Sequence, residues 1–385
     1  MFPLLLDGDI VYCKQVSFSK IKTDDIVCIK QRNKLVTHRV IYKAKKYIIT
    51  KGDGNMLSDG KIEPMCIAGL VYAVERDGQK FNIENFYLFQ SSIYFEEIKK
   101  VMRIFQKEKI YFLILKGLPL HLFLIEKHPR RIYADCDVLI RKSQINRVDQ
   151  IFSKLRYQSK DPFEQRFRGD KPKEYPETTY WKEISGVIVR FDIHREAVFV
   201  ATAVGIFNQL YPIKYVDEFT AELFLSSRTV LVHGVLFPIL SQETLIAYLL
   251  LHLFHHNYEG ANRYELIDYL LRNQSKTDTV VEIALKYKIE GFIAPALHFL
   301  DIYYFNKNAS RILSECKLDS IKKNYVGKLG SKDIFSETVY TGDNFKNTFF
   351  LSDERMLKKI TVFLNFDVIF SIIQRIIYKK MTKSK

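Results

Sequence analysis

The sequence predicts an α+β protein of several parts: a small all-β segment, then an α/β segment, then a mainly helical C-terminal half. Three observations predict it. Short apolar, β-branched runs broken by Asp, Gly and Asn clusters fill residues 1 to about 76. A strand–turn–helix unit followed by acid-bearing strands occupies the middle of the chain. From Ser241 onward the apolar residues recur at helical spacing. The boundaries drawn from this are 1–80, 92–215 and 216–385.

The strands expected in the first part are Ile10–Cys13, Asp25–Lys30, Leu35–Ile41, Tyr47–Thr50 and Ile67–Val74. Residues 77–92, with Arg76-Asp-Gly-Gln and an Asn-rich stretch, read as a linker. Ser91 to Lys109 carries Ile93, Phe95, Ile98, Val101, Met102 and Phe105 at helical spacing and is expected to be a helix. Ile110–Leu115 is a strand-like run ending in Lys116-Gly117, and Pro119 suits the first turn of a helix running to about Lys127. Such a turn can bring backbone N–H groups, a helix's positive end and the Lys116 ammonium towards an anion.

Arg131-Ile-Tyr-Ala-Asp135-Cys136-Asp137-Val-Leu-Ile140 reads as the next strand. Residues i and i+2 of a strand share a face, so Asp135 and Asp137 project together. Paired carboxylates repel and are costly to bury alone, and a hard divalent cation relieves both problems. Two solvated acids at a strand end would look the same in sequence. Val187–His194 is a further strand that places Asp192 and His194 on one face, and a third carboxylate there could complete a two-metal phosphoryl-transfer site. Ser143 is expected to cap a helix through about Leu155. The loop from Gln158 to Glu177 is basic, with Arg166, Arg168, Lys171 and Lys173 either solvated or turned to a polyanion.

Helices are expected over Ser241–His256, Tyr264–Arg272, Thr277–Lys288 and Gly291–Tyr304. His252 and His256 are four apart on one face, but no Glu lies between them in the metalloprotease pattern, which leaves a polar cluster or plain packing. Ile360 to Lys385 is amphipathic with a lysine-rich end, a docking helix or a membrane-surface helix.

Composition bounds the rest. At 385 residues with 47% hydrophobic and 27% charged side chains, the chain can bury sizeable cores. A net charge of +15 favours anionic partners: nucleotides, nucleic acid or an acidic membrane surface. Five scattered cysteines without a Cys-x-x-Cys pair point to reduced thiols in the cytoplasm and away from structural zinc. Met1–Leu6 lacks a basic n-region, so no signal peptide is expected, and no run reaches the ~18 apolar residues of a membrane span. The localisation expected is cytoplasmic, or peripheral to a membrane through the C-terminal helix.

The order Lys116-Gly117, Arg131-x-x-x-Asp135-x-Asp137, Asp192-x-His194 resembles the uncharacterised nucleotidyltransferase family of bacteria, within the polymerase-β-like superfamily. The resemblance runs from about Glu96 to Arg272 and includes the helix around His252 and Arg263-Tyr-Glu265-Leu-Ile-Asp268. It implies that Asp135, Asp137 and Asp192 are catalytic and hold Mg²⁺ (or Mn²⁺), with Asp192 helping to activate the acceptor. Lys116, Gly117, Arg131 and His194 would contact the NTP substrate. The superfamily usually has Gly-Ser or Gly-Gly in its phosphate turn, where this chain has Lys116-Gly117. The acceptor, anionic or proteinaceous, is not indicated.

The first 80 residues resemble the core of signal peptidases and related serine peptidases. The matching pieces are Met1-x-Pro3-x-Leu5-x-x-Gly8-Asp9, Thr37-His38-Arg39-Val40, Lys51-Gly52-Asp53-Gly-Asn55-x-x-x-Asp59 and Ile67-x-Gly69-x-Val71. The resemblance implies His38 as base and Asp53 or Asp59 as its orienting acid, in a vestigial site, because that family's serine stands one residue before the position of Met1. The function expected is therefore Mg-dependent nucleotidyl transfer with an appended, inactive peptidase-like module. The alternatives are a non-catalytic accessory protein of a peptide-modification or secretion pathway, and a serine peptidase should a serine precede Met1.

Overall fold

The computed structural model describes residues 4–31, 34–133, 135–160, 176–197, 210–273, 276–337 and 341–364. Met1, Pro3, the basic side chains Arg166, Arg168, Lys171 and Lys173, and most of the amphipathic C-terminal stretch lie outside them.

Two sheets organise these residues. The first contains β1 (Ile10–Lys14), β2 (Ile26–Gln31), β3 (Lys34–Lys43), β4 (Ile48–Lys51), β5 (Lys61–Ile62), β6 (Ile67–Arg76) and β7 (Gln79–Asn82), in the order β1-β6-β2-β3-β4-β5 with β7 on β6. Its pairings are all antiparallel. The period-2 pattern of β2 divides the core in two: Ile26 and Cys28 pack with Val71, Ile83 and Tyr87, while Val27 and Ile29 pack with Ile21, Ile48 and Ile62.

The stretch expected as a linker is structured. Asn82 ends β7 and caps α1 (Ile83–Lys107) by accepting a hydrogen bond from the Glu84 amide, so the helix starts eight residues before Ser91. Its buried face, including Ile98, Val101, Met102 and Phe105, lies against the second sheet.

That second sheet has the order β10-β11-β12-β9-β8-β14-β13, from β8 (Phe112–Lys116), β9 (Cys136–Ile140), β10 (Gln158–Lys160), β11 (Glu177–Ile184), β12 (Val187–His194), β13 (Ser227–Val232) and β14 (Val235–Leu240). β9 pairs parallel to β12 and antiparallel to β8, so the central strands are buried from both sides. Besides α1, the helices α2 (Leu118–Ile125), α3 (Ile145–Lys154) and α4 (Ile213–Leu225) share the core of this sheet. A 3-10 turn at Lys142–Gln144 precedes α3, and the residue at its cap is Gln144 with no side-chain bond, in place of the expected Ser143. The β13–β14 hairpin extends the sheet past residue 215, into the part expected to be helical.

The C-terminal half stacks α5 (Gln242–His255), α6 (Ala261–Arg272), α7 (Thr277–Lys286), α8 (Glu290–Tyr304), α9 (Lys307–Glu315), α10 (Ser320–Leu329), α11 (Thr341–Leu351) and α12 (Met356–Phe363). Ser241 caps α5 as expected. Among the described residues no helix is long and apolar enough to cross a membrane, and all five cysteines are free.

The first sheet is fastened to the rest. The Tyr42 hydroxyl donates to the Tyr303 carbonyl at 2.7 Å, and its ring meets Tyr304 and Phe335. Arg39 is buried, paired through Nε and Nη2 with both oxygens of Asp53 at 2.7 Å each, while its Nη1 reaches the Tyr87 hydroxyl and the Arg130 carbonyl. A bidentate carboxylate and saturated donors are what make such a burial affordable.

Candidate active site

The site is a row across the second sheet. Register places Lys116 of β8 opposite Asp137 of β9, Asp137 opposite Asp192 of β12, and Asp192 opposite Thr179 of β11. Residues in register on neighbouring strands share a face, so four strands deliver one cation, two carboxylates and a hydroxyl to the same side. His194, two residues beyond Asp192, and Asp135, two before Asp137, extend the row along the strands. Asp135 itself precedes β9, which starts at Cys136 and not at Arg131; its side chain is partly exposed while that of Asp137 is 3% exposed.

The contacts are specific. Lys116 Nζ stands 3.0 Å from Asp137 Oδ2 and 3.7 Å from Asp135 Oδ2. Asp137 Oδ2 is buried and faces the Lys116 ammonium as an ion pair, with no other partner beside it among the described residues. Asp137 Oδ1 takes a 2.8 Å bond from His194 Nε2. Asp192 Oδ1 accepts from the Thr179 hydroxyl at 2.6 Å, and Arg190 lies 3.2 Å from each of its oxygens. Glu177 Oε2 is 3.8 Å from His194 Nδ1.

Charge placement follows from these distances. Burial and the Asp137 charge push the Asp135 carboxyl up. Burial would also raise Asp137, but Lys116 and the His194 hydrogen bond hold it below the usual carboxylate range. Burial works against the His194 imidazolium, yet Asp137 and Glu177 outweigh it and raise its pKa. Burial raises Glu177. The donors suit a hard divalent cation: oxygen ligands on one face, one of them buried with only the Lys116 ammonium beside it, and a carboxyl raised by a neighbouring charge. Among the described residues no three acidic, histidine or cysteine side chains converge on one point, and the Lys116 ammonium stands between Asp135 and Asp137 instead.

Gly117 is required where it lies. Its φ is +114°, and a Cβ there would come within 3.2 Å of the Asp135 carbonyl oxygen and the Cys136 Cα. It starts α2, with Pro119 in the first turn, so the helix's positive end opens beside Asp135. Arg131 sits apart from the row, next to Tyr133 and 4.0 Å from Glu265. His252, His255 and His256 are buried beside the site; burial first, then Lys116 and neighbouring charged or histidine groups, drive them down, His255 to about 3, so they are neutral.

Glu177, Thr179 and Arg190 are site residues that the sequence did not single out. The signal for Arg190 was its i, i+2 spacing to Asp192 on β12; Glu177 and Thr179 depend on the β11–β12 pairing.

In the first sheet, His38 Nδ1 bonds Asp59 Oδ2 at 2.6 Å, and the Thr50 hydroxyl donates to the same oxygen at 2.7 Å. Asp53 is held by Arg39. Of the two acids expected for His38, Asp59 is the partner, because His38 and Arg39 are adjacent on β3 and face opposite sides.

A comparison with curated proteins finds no match. Among solved structures, an antigenic nucleotidyltransferase-like protein from Paracoccidioides brasiliensis is similar over 53% of this chain and 91% of that one, at 13% identity and a TM-score of 0.28, too low to carry an argument. The sequence model of the family described as uncharacterised nucleotidyltransferase matches residues 86–304, more than half of the chain and the whole carboxylate row. The chain belongs to that uncharacterised nucleotidyltransferase family.

Proposed function

We propose that the protein transfers a nucleoside monophosphate from an NTP to an acceptor. A nucleophilic atom of the acceptor bonds the α-phosphorus, the bond from that phosphorus to the bridging oxygen breaks, and pyrophosphate leaves with the electron pair. The observation that carries this is the register row Lys116–Asp137–Asp192, flanked by Asp135. Asp135, Asp137 and Asp192 would hold Mg²⁺ or Mn²⁺, which when bound neutralises phosphate charge and makes the nucleophile more acidic. His194 fixes the Asp137 carboxylate by its 2.8 Å hydrogen bond. Thr179 and Arg190 orient Asp192, which would share the metal and help activate the acceptor, whose proton passes to solvent as the nucleophile attacks. Lys116, at the end of its strand, would turn to the phosphates once a cation takes its place beside the acids, and Gly117 would let the backbone come close to them.

The first sheet is proposed as a peptidase-like module that brings His38 and Asp59 together and contributes surface to the transferase part. The Lys116 ammonium lying between Asp135 and Asp137 favours the other reading, a binding protein that holds a nucleotide without turnover. One experiment separates the two: incubation with Mg²⁺ and each NTP labelled at the α-phosphate, with protein, RNA and small-molecule fractions counted for label. Transfer from any NTP is expected. Tight NTP binding with no label transferred to any fraction would favour the accessory role.

A further inference from the structure

Between the first sheet and the transferase part lies a cleft of about 340 Å³ whose walls include Arg39 and Lys51 from the first sheet, Arg131 from the segment leading to Asp135, and Asn262 and Arg263 from the first turn of α6. Its acids are Asp24, Asp53 and Glu337. Arg39 and Asp53 cancel in their bidentate pair. Lys51 Nζ and Arg263 Nη1 then share one carboxylate oxygen, Glu337 Oε1, at 3.4 and 3.3 Å. Arg131 Nη1 is shut off from water with no hydrogen-bond partner, and its nearest carboxylate oxygen, on Glu265, is 4.0 Å away. Burial, and the Asp24 charge after it, push that Glu265 carboxyl up, and it does not line the cleft. Three cations therefore face two acids, a buried N–H lacks an acceptor, and the positive end of a twelve-residue helix opens into the same space. A tetrahedral oxyanion supplies what is missing: several acceptor oxygens and negative charge.

We propose that this cleft binds a phosphate group carried by the acceptor, with Lys51, Arg131 and Arg263 as its ligands, so that the first sheet completes the acceptor site. The assignment to the acceptor rests on the transferase reading above. It follows from position: Arg131 lies four residues before Asp135, Arg263 is close enough to act electrostatically on Lys116, and Lys51 lies outside the 86–304 span shared with the family. The triphosphate has its own turn at Lys116-Gly117.

The test uses the full chain and inorganic phosphate as probe, with chelator present, followed by calorimetry. Wild type should bind phosphate, Lys51→Met and Arg263→Met should each bind it at least ~10-fold more weakly, and Lys51→Arg should restore most of the loss. Asp137→Asn should bind phosphate as wild type does, and Lys51→Met should bind Mg²⁺–NTP as wild type does. Thermal unfolding of each variant shows that it is folded. Phosphate affinity unchanged in folded Lys51→Met would overturn the cleft as the site. Equal loss of phosphate and Mg²⁺–NTP affinity in Lys51→Met would overturn the acceptor assignment, since the cleft would then hold the triphosphate. If wild type bound no Mg²⁺–NTP the transferase reading would fall, while a Lys51-dependent phosphate affinity would still support the cleft.

Discussion

His38 Nδ1 lies 2.6 Å from Asp59 Oδ2 in the first sheet, and His194 Nε2 lies 2.8 Å from Asp137 Oδ1 in the second. The two pairs are alike in length and differ in company. Around His38 the partners are neutral apart from one acid: Asp59 meets the imidazole, the Thr50 hydroxyl and the Gln31 side chain. Around His194 stand Asp135, Asp192 and Glu177 besides Asp137, with Lys116 and Arg190 between them. A histidine–carboxylate pair alone thus says little about chemistry. What marks the second pair is a row of carboxylates in register across neighbouring strands, with one buried oxygen met only by the Lys116 ammonium. Such a row is what the proposed divalent cation would bind, and no such row surrounds the first pair.

The largest expected difference is in catalysis. Asp192→Asn should lower nucleotidyl transfer by about 1000-fold, roughly 4 kcal/mol of transition-state stabilisation, whereas His38→Ala should leave the rate within about twofold, read from the same label-transfer assay. A rate that falls with His38→Ala would join the two sites and break the contrast. Next, Lys116→Ala should weaken NTP binding by about 1–3 kcal/mol, the scale of a charge-assisted bond to phosphate, measured by titration calorimetry. Unchanged affinity would move the phosphates elsewhere. His194→Gln should cost about 10–100-fold in metal affinity or rate, because it removes the group that holds Asp137 in place. The nucleotide KM should change less than kcat.

The smallest effect concerns stability. Burial would raise the Asp59 pKa, but the His38 and Thr50 hydrogen bonds lower it overall. A carboxyl depressed in the folded state stabilises above its unfolded value near ~3.9, and that stabilisation is lost as pH falls through the folded pKa. Asp59→Asn should therefore cost about 1 kcal/mol at neutral pH and progressively less below about pH 4, by chemical denaturation. A cost independent of pH would show that Asp59 acts by shape and not by charge.

The features of this contrast were unequally legible in the sequence. Alternation alone put Asp192 and His194 on one face, and β12 has the predicted bounds. The Ser241 cap and the apolar run behind it marked α5. Alternation put Asp135 beside Asp137, where Lys116 meets both, but placed it inside a strand that starts only at Cys136, after the close approach of Gly117 to Asp135. The β13–β14 hairpin went unread although His233-Gly234, both at positive φ, is a two-residue turn between alternating runs. The Asn-rich stretch looked like a linker because Asn favours both turns and caps; here Asn82 is the cap. Asp53 and Asp59 could not be told apart in sequence, since the choice depends on which face of β3 each one meets.

The account rests on the carboxylate row holding a divalent cation, and Mn²⁺ uptake measures that most directly. Electron paramagnetic resonance of wild type titrated with Mn²⁺ and NTP should show bound metal, and Asp135→Asn/Asp137→Asn should lose it while still unfolding cooperatively at a similar temperature. Equal Mn²⁺ uptake by wild type and the double variant would contradict the account.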